Sequence, residues 1–291
     1  MTHEFSTDPK GPAESLAIPV SVFLITKNCG QWLDQVLTPV ADFAEIVIVD
    51  SGSTDETLAI AARYGARIIH QDFLGYGEQK QIALAQCTQP WVLNLDGDEV
   101  IDDELRVAMI QLVADNEPAV MGGLVRFRDW FVGVPASKAT RAITRVRLFR
   151  RARGHFLSEQ IVHESIQLDP GGRIVTLPGW VEHFGVESVS LRTEKINRYS
   201  TMRAELDAAR GKRHSALKLA TIFPLRFLKN YLLRRAFLSG RRGLIQAMAS
   251  AYYSFLIEAK KFEAQERQRL NPDQKSTSAT GPTSSKTKEL S

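Results

Sequence analysis

Cysteine is scarce: Cys29 and Cys87 are the only two in 291 residues. That excludes a disulfide scaffold and a zinc site built mainly on thiolates, and it fits a reducing compartment. No run approaches the roughly eighteen consecutive apolar residues of a simple membrane-spanning helix. The stretch before Leu16 is polar, with neither the basic nor the apolar region of a secretory signal, so no such signal is expected. No Gly-Lys-Ser/Thr loop occurs, and "GYGEQK" misses the third glycine of a dinucleotide fingerprint. P-loop and dinucleotide chemistry are therefore disfavoured.

Neither sign of charge dominates the whole chain, with 37 basic and 33 acidic residues, yet the two are segregated. Residues 1–100 carry fourteen acids against five bases, whereas residues 208–257 carry ten bases and no acid. A further nine bases lie between Arg126 and Arg153 against the single acid Asp129. Such an asymmetry calls for a physical reason, either a solvated face or a surface for anions.

The order of elements is legible from periodicity. "IPVSVFLITKN", "EIVIVDSGSTDET", "ARIIH" and "PWVLNLDGDE" read as strands, with helical stretches around 32–40, to about 64, and from the Gly-rich turn to Gln86. Near-continuous apolar strands alternating with helices predict βαβ units and a mainly parallel sheet covered on both faces. From about Val120 to Val186 short β-like pieces extend the sheet with antiparallel character. From Leu191 the pattern is helical; Pro224 is expected to start a helix or break one, and Gly240 and Gly243 to separate two helical pieces.

Ligands of such sheets bind beyond the carboxyl ends of the strands. Two strands end there in carboxylates, at Asp50 and at Asp96-Gly97-Asp98-Glu99. Asp96 and Asp98, two apart, point to one side if the backbone is extended. Converging carboxylates make a hard-oxygen site suited to Mg²⁺ or Mn²⁺ carrying a diphosphate. The plain alternative is an acidic turn in which Asp98 or Asp102 caps the next helix. Asp50 with Ser51, Gly52 and Ser53 forms a polar turn whose carboxylate can accept from a base or ribose edge, or which merely joins strand to helix. Lys80 opens a helix from which it can reach a phosphate. In "SEQIVHES", Glu159 and Glu164 are candidates to take a proton from a hydroxyl. His183 is a further metal or phosphate contact, or simply a structural histidine.

Together these pieces resemble glycosyltransferase family 2, the inverting GT-A enzymes, through "SVFLITKN", "IVIVDSGSTDET", "GYGEQKQIAL" and "WVLNLDGDE" in the family's order. More narrowly, "DGDEVIDDEL", "RVRLFRR", "VHESI" and "KINRYSTMRAEL" are similar to the branch that includes lipopolysaccharide inner-core β-1,4-glucosyltransferases. The resemblance, which covers roughly residues 18–199, implies a Rossmann-like α/β GT-A fold; the helical pattern beyond it adds C-terminal amphipathic helices. The resemblance also implies a UDP-sugar donor, UDP-glucose above all, a lipid-linked saccharide acceptor and a divalent cofactor, Mn²⁺ or Mg²⁺. By the resemblance Asp50, Lys80 and Asp96 would bind the donor, Asp98 the metal, and Glu164 would be the base; Ser51 joins the donor site from its place in the polar turn, and His183 the metal as the further contact read above.

The chain is accordingly expected to comprise a flexible leader (1–17), a GT-A domain (18–205), a basic amphipathic helical region (206–268) and a disordered tail (269–291). In the helical region apolar residues recur at helical spacing among the bases, which suits the surface of an anionic membrane from the cytoplasmic side. The plain alternative is two helices packed on the domain with a solvated basic face. A sugar nucleotidyltransferase is a rival reading, but its Gly-rich, Arg-containing N-terminal signature is absent. A noncatalytic membrane-surface protein would leave the acidic strand ends unexplained, and no nucleic-acid partner is expected.

Overall fold

The computed structural model describes residues 17–157, 166–185 and 188–270. Two compact units divide them: one of residues 17–129 and 143–185, the other of residues 130–142 and 188–270. Helix α5 (Val189–Ala209), which the sequence-based boundary at 205 would cut, falls wholly in the second unit. Apart from residue 17 and residues 269–270, the expected leader and tail lie outside the described residues.

In the first unit, β1 (Ile18–Thr26), β2 (Phe43–Asp50), β3 (Arg67–His70) and β4 (Trp91–Asn94) run parallel, with β1 central between β2 and β4. The period-two alternation of a strand divides their side chains between two cores. Val22, Leu24, Ile48 and Leu93 face one core, which includes Leu33 of α1 (Gly30–Leu37), Ile60 of α2 (Thr57–Arg63), and Leu105 and Met109 of α4 (Asp103–Asp115). Phe23, Val47, Val49 and Val92 face the other, with Ala83 and Leu84 of α3 (Tyr76–Gln86). The near-continuous apolar runs thus reflect burial on both faces.

After β4 come β5 (Glu99–Ile101), β6 (Val120–Phe131), β7 (Val134–Pro135), β8 (Ile143–Arg150), the short pair β9 (Gly154–His155) and β10 (Gln167–Leu168), β11 (Arg173–Thr176) and β12 (Val181–His183). The sheet order is β3-β2-β1-β4-β8-β6-β12-β5. β8 pairs antiparallel with both β4 and β6, so the expected antiparallel extension is present. The α/β class, with a mainly parallel sheet, flanking helices and helices at the C-terminal end, is as the sequence predicts.

The second unit holds α5, α6 (Ala216–Leu228) and α7 (Gly240–Leu270), with the hairpin end of β6 and β7. Two expectations fail here. Pro224 sits inside α6, neither starting a helix nor breaking one. Gly243 lies buried within α7 instead of breaking it, and its glycine serves a close approach: a Cβ there would stand 1.8 Å from the carbonyl oxygen of Ala236. Gly240, at φ 58°, does separate the two helical pieces. Among the described residues no helix is long and apolar enough to cross a membrane.

Candidate active site

The carboxyl ends of β1, β2 and β4 present three loops on one sheet edge. The first two are stitched together. Asn28 N–H donates to Ser53 Oγ at 2.9 Å, and Thr54 N–H returns a bond to Asn28 Oδ1 at 2.8 Å. Asp55 accepts from Gly30 N–H at the start of α1 and from Thr57 N–H at the start of α2. One carboxylate thereby satisfies orphan donors of two helices.

Asp50 is buried at the end of β2 and accepts four bonds: from Thr26 Oγ1 and Ser53 Oγ at Oδ1, and from Gly52 N–H and Ser53 N–H at Oδ2. Burial works to raise its pKa, but these donors outweigh it and hold the carboxyl below its ordinary value. A carboxylate offers about four acceptor positions, and all four are used within its own loop and the neighbouring strand. Direct reading of a base by this side chain requires one of those bonds to exchange. Ser51 is buried beneath the turn, its Oγ accepting from Gln79 Nε2 at 2.9 Å.

Beyond β4 the expectation of an extended Asp96–Asp98 pair fails. Glu99 N–H donates to the Asp96 carbonyl oxygen at 3.0 Å, so the segment is a tight turn and the two carboxylates diverge. Asp96 is clamped by cations on both sides: Lys80 Nζ lies 2.8 Å from Oδ1 and Arg147 Nη2 lies 2.9 Å from Oδ2. Lys80 is 1% exposed and turned into this pair, so in this structure it does not stand out toward a phosphate. Burial raises the Asp96 pKa, but the charges of Lys80 and Arg147 override it and hold the carboxyl well below its usual range. Gly97 does make a close approach, though to Cys29: a Cβ there would lie 2.6 Å from Cys29 Sγ.

Sequence reasoning missed Arg147. It lies on β8, 4% exposed, and its guanidinium also bonds Glu99 and donates to Asn94 Oδ1 at 2.8 Å. Its face covers the Phe127 ring, 5.2 Å from the centroid. The available signal was weak: in "RVRLFRR" Arg147 sits between the apolar Val146 and Leu148, but three further arginines in the same stretch give no sign of which one is buried. Glu99 is the counterweight. Burial pushes its carboxyl up to about 7, the Asp96 charge adds to the rise, and Arg147 pulls against it.

Asp98 takes the other direction. Asp102, not Asp98, caps α4, accepting from Leu105 N–H at 2.9 Å. That leaves the Asp98 carboxylate beside His183, with Oδ2 3.8 Å from Nε2. His183 Nδ1 lies 2.8 Å from Asp129 Oδ1. Gly185 makes room between the two: a Cβ there would fall 2.6 Å from Asp98 Oδ2 and 2.8 Å from His183 Nε2. Trp32 and Phe184 stack beside them, with ring centroids 4.4 Å apart. Glu164, with Glu159 and His163, lies outside the described residues.

His183 carries a pH dependence. Burial would lower its pKa, but the hydrogen bond to Asp129 and the charges of Asp98 and Asp129 raise it from 6.5 to about 9. The folded value exceeds the unfolded one. The stabilisation is therefore complete below pH 6.5 and is lost as pH rises through about 9. In chelator, the gap in urea midpoint between wild type and His183→Gln is expected to shrink across that window. A constant gap would show that His183 does not titrate there.

The sequence profile described as Glycosyl transferase family 2 matches residues 21–168. The lipopolysaccharide core biosynthesis glycosyltransferase LpsC of Rhizobium meliloti (strain 1021) is 35% identical over 253 residues, covering 84% of this chain and 93% of that protein. An uncharacterized glycosyltransferase of Rickettsia typhi is 30% identical over 250 residues, covering 83% of this chain and 86% of that one. Among solved structures, S. aureus TarS 1-349 aligns with a TM-score of 0.44 at 17% identity, over 87% of this chain and 92% of that chain. The profile takes in just over half of the residues and the Rhizobium relative aligns along nearly its whole length, so this chain belongs to glycosyl transferase family 2.

Proposed function

We propose that this glycosyltransferase moves a sugar, glucose by resemblance, from a UDP-sugar to a hydroxyl of a lipid-linked glycan such as the lipopolysaccharide core. Transfer is a single displacement with inversion at the anomeric carbon. The observation that carries the reading is the division of labour on the 96–99 turn. Asp96 is locked between Lys80 and Arg147, while Asp98 is left partly exposed beside His183.

The residues fit a divalent cation held jointly with a diphosphate. One carboxylate oxygen and one imidazole nitrogen converge, with room kept by Gly185, and phosphate oxygens and water would supply the other positions. Among the described residues no group of three His, Cys, Asp or Glu side chains could hold an ion by itself. This suits an ion that arrives with the nucleotide. When bound, the cation would offset the charge on the departing diphosphate.

The protein's own role is to orient. The stitched 28–30 and 51–57 loops form a rigid rim for the nucleoside, built on Asp50 and Ser51. Asp96, fixed by its two cations, presents a constrained carboxylate edge to the ribose and sugar. Glu164 is assigned as the base from the sequence. Glu164→Gln is expected to keep donor affinity and lose turnover, because the amide matches the shape but cannot take the proton. An unchanged turnover number would move the role to Glu159.

The acceptor class follows the described role of the Rhizobium relative and the basic, apolar second unit, which suits peripheral attachment at the cytoplasmic face of a membrane. The direct test is a thermal-shift panel of UDP, UDP-glucose and other nucleotide sugars with and without Mn²⁺. The expected result is stabilisation by UDP-glucose that requires the ion. Equal shifts with purine and uridine nucleotides would overturn the donor.

A further inference from the structure

The second unit contains an element that the helical pattern of the C-terminal region does not include. β6 and β7 pair Trp130 with Pro135 and Phe131 with Val134, which leaves Val132-Gly133 as a two-residue turn. Their φ angles are 51° and 68°, both left-handed, as in a type I′ turn. That turn favours Asn-Gly, and a β-branched residue at its first position is an outlier that carries a conformational cost. No core burial offsets it: Val132 is 51% exposed and Val134 40% exposed. Strain kept at an exposed apolar tip points to a contact outside the chain.

The tip adjoins the basic segment. Ser137 N–H donates to Ser239 Oγ at 3.0 Å, and Arg141 N–H donates to the Arg234 carbonyl oxygen at 2.9 Å. Val134, Leu238 and Arg242 line one cleft of about 230 Å³. Helix α6 has no buried residue, and Leu225 and Leu228 in its second half, with Leu232 and Leu233 just beyond its end, are all about half exposed or more. Arginines and lysines alternate with these leucines, and no acid occurs from 208 to 257. Leucines set among these bases are complementary to an anionic bilayer, where leucines enter the acyl boundary and basic heads stay with the phosphates.

We propose that the Val132–Val134 hairpin tip inserts into an anionic membrane surface beside the leucines of residues 225–238. Two elements a hundred residues apart in sequence then form one footprint. The inference rests on the membrane-surface reading above, and it assigns that surface a second, sequence-distant contact.

Vesicle co-sedimentation of the full chain tests it, with phosphatidylglycerol-containing and neutral phosphatidylcholine vesicles at low and high salt. Val132→Asn suits the turn better than valine, so its thermal midpoint should stay level or rise. Its partition to anionic vesicles should fall about tenfold, the loss expected when one valine side chain is no longer buried. Arg241→Gln with Arg242→Gln should weaken the preference for anionic over neutral vesicles. A fluorophore on Val132→Cys should shift to the blue on anionic vesicles. Wild-type binding that Val132→Asn leaves unchanged, or a bound protein without a blue shift, overturns the hairpin contact and leaves the membrane reading standing. Failure of the wild type to bind either vesicle overturns both.

Discussion

Replacement of Arg147 by alanine is expected to destabilise the first unit by about 3–5 kcal/mol, the cost of removing one partner from a buried ion pair. The guanidinium is 4% exposed and serves Asp96, Glu99 and Asn94 at once. Without it, Lys80 still neutralises Asp96, but Glu99 loses its bonded cation in a buried site. The sign of the pH dependence follows. The folded Glu99 carboxyl already sits near 7, above its ordinary 4.5, and loss of Arg147 raises it further. The folded variant then takes up a proton that the unfolded chain does not, so its deficit is largest above pH 7 and narrows toward pH 5. Urea unfolding of wild type and Arg147→Ala at both ends of that range measures this. Arg147→Lys should recover only a fraction of the loss, since a point charge cannot bridge three acceptors. Equal stabilities above pH 7 would remove Arg147 from the centre of the site.

Asp98→Ala is expected to abolish divalent-dependent UDP binding and to lower turnover at least about 100-fold. Even residues that only support a metal ligand cost about 10–100-fold when removed, and a direct ligand should cost no less. The fold should survive, because Asp102 holds the start of α4 and the Asp98 side chain is partly exposed. Gly185→Ala supplies the companion test. Its added methyl would fall within 2.6 Å of Asp98 Oδ2 and 2.8 Å of His183 Nε2, so both groups stay but cannot converge. Calorimetric titration of UDP with and without Mn²⁺ reads both variants. Sugar transfer by Asp98→Ala at the wild-type rate without added metal would refute the assignment.

Much of the architecture is written in local patterns. The apolar runs of β1, β2 and β4, their β-branched composition and the helices between them specify a parallel sheet buried on both faces, because strand and helix periods are properties of short windows. The same windows expose carboxylates at strand ends, where an α/β sheet binds its ligands. The charge segregation and the leucines among bases in residues 208–257 also need no tertiary information.

Which carboxylate does what was decided only by tertiary contacts. Asp96 and Asp98 are two residues apart and look equivalent in sequence. One is captured by Arg147, 51 residues downstream, and the other is left to His183. Asp50 reads as an open acceptor until Thr26, on the neighbouring strand, and its own turn occupy both its oxygens. Gly243 reads as a helix breaker until the backbone of Ala236 is found against it. The hairpin at Val132 joins the basic segment only through hydrogen bonds to residues a hundred positions away. Apart from Ala236, seven residues before Gly243, and the turn of Asp50 itself, the deciding partners lie outside any local window, and where they are buried a low-dielectric interior makes their charge outweigh local preference.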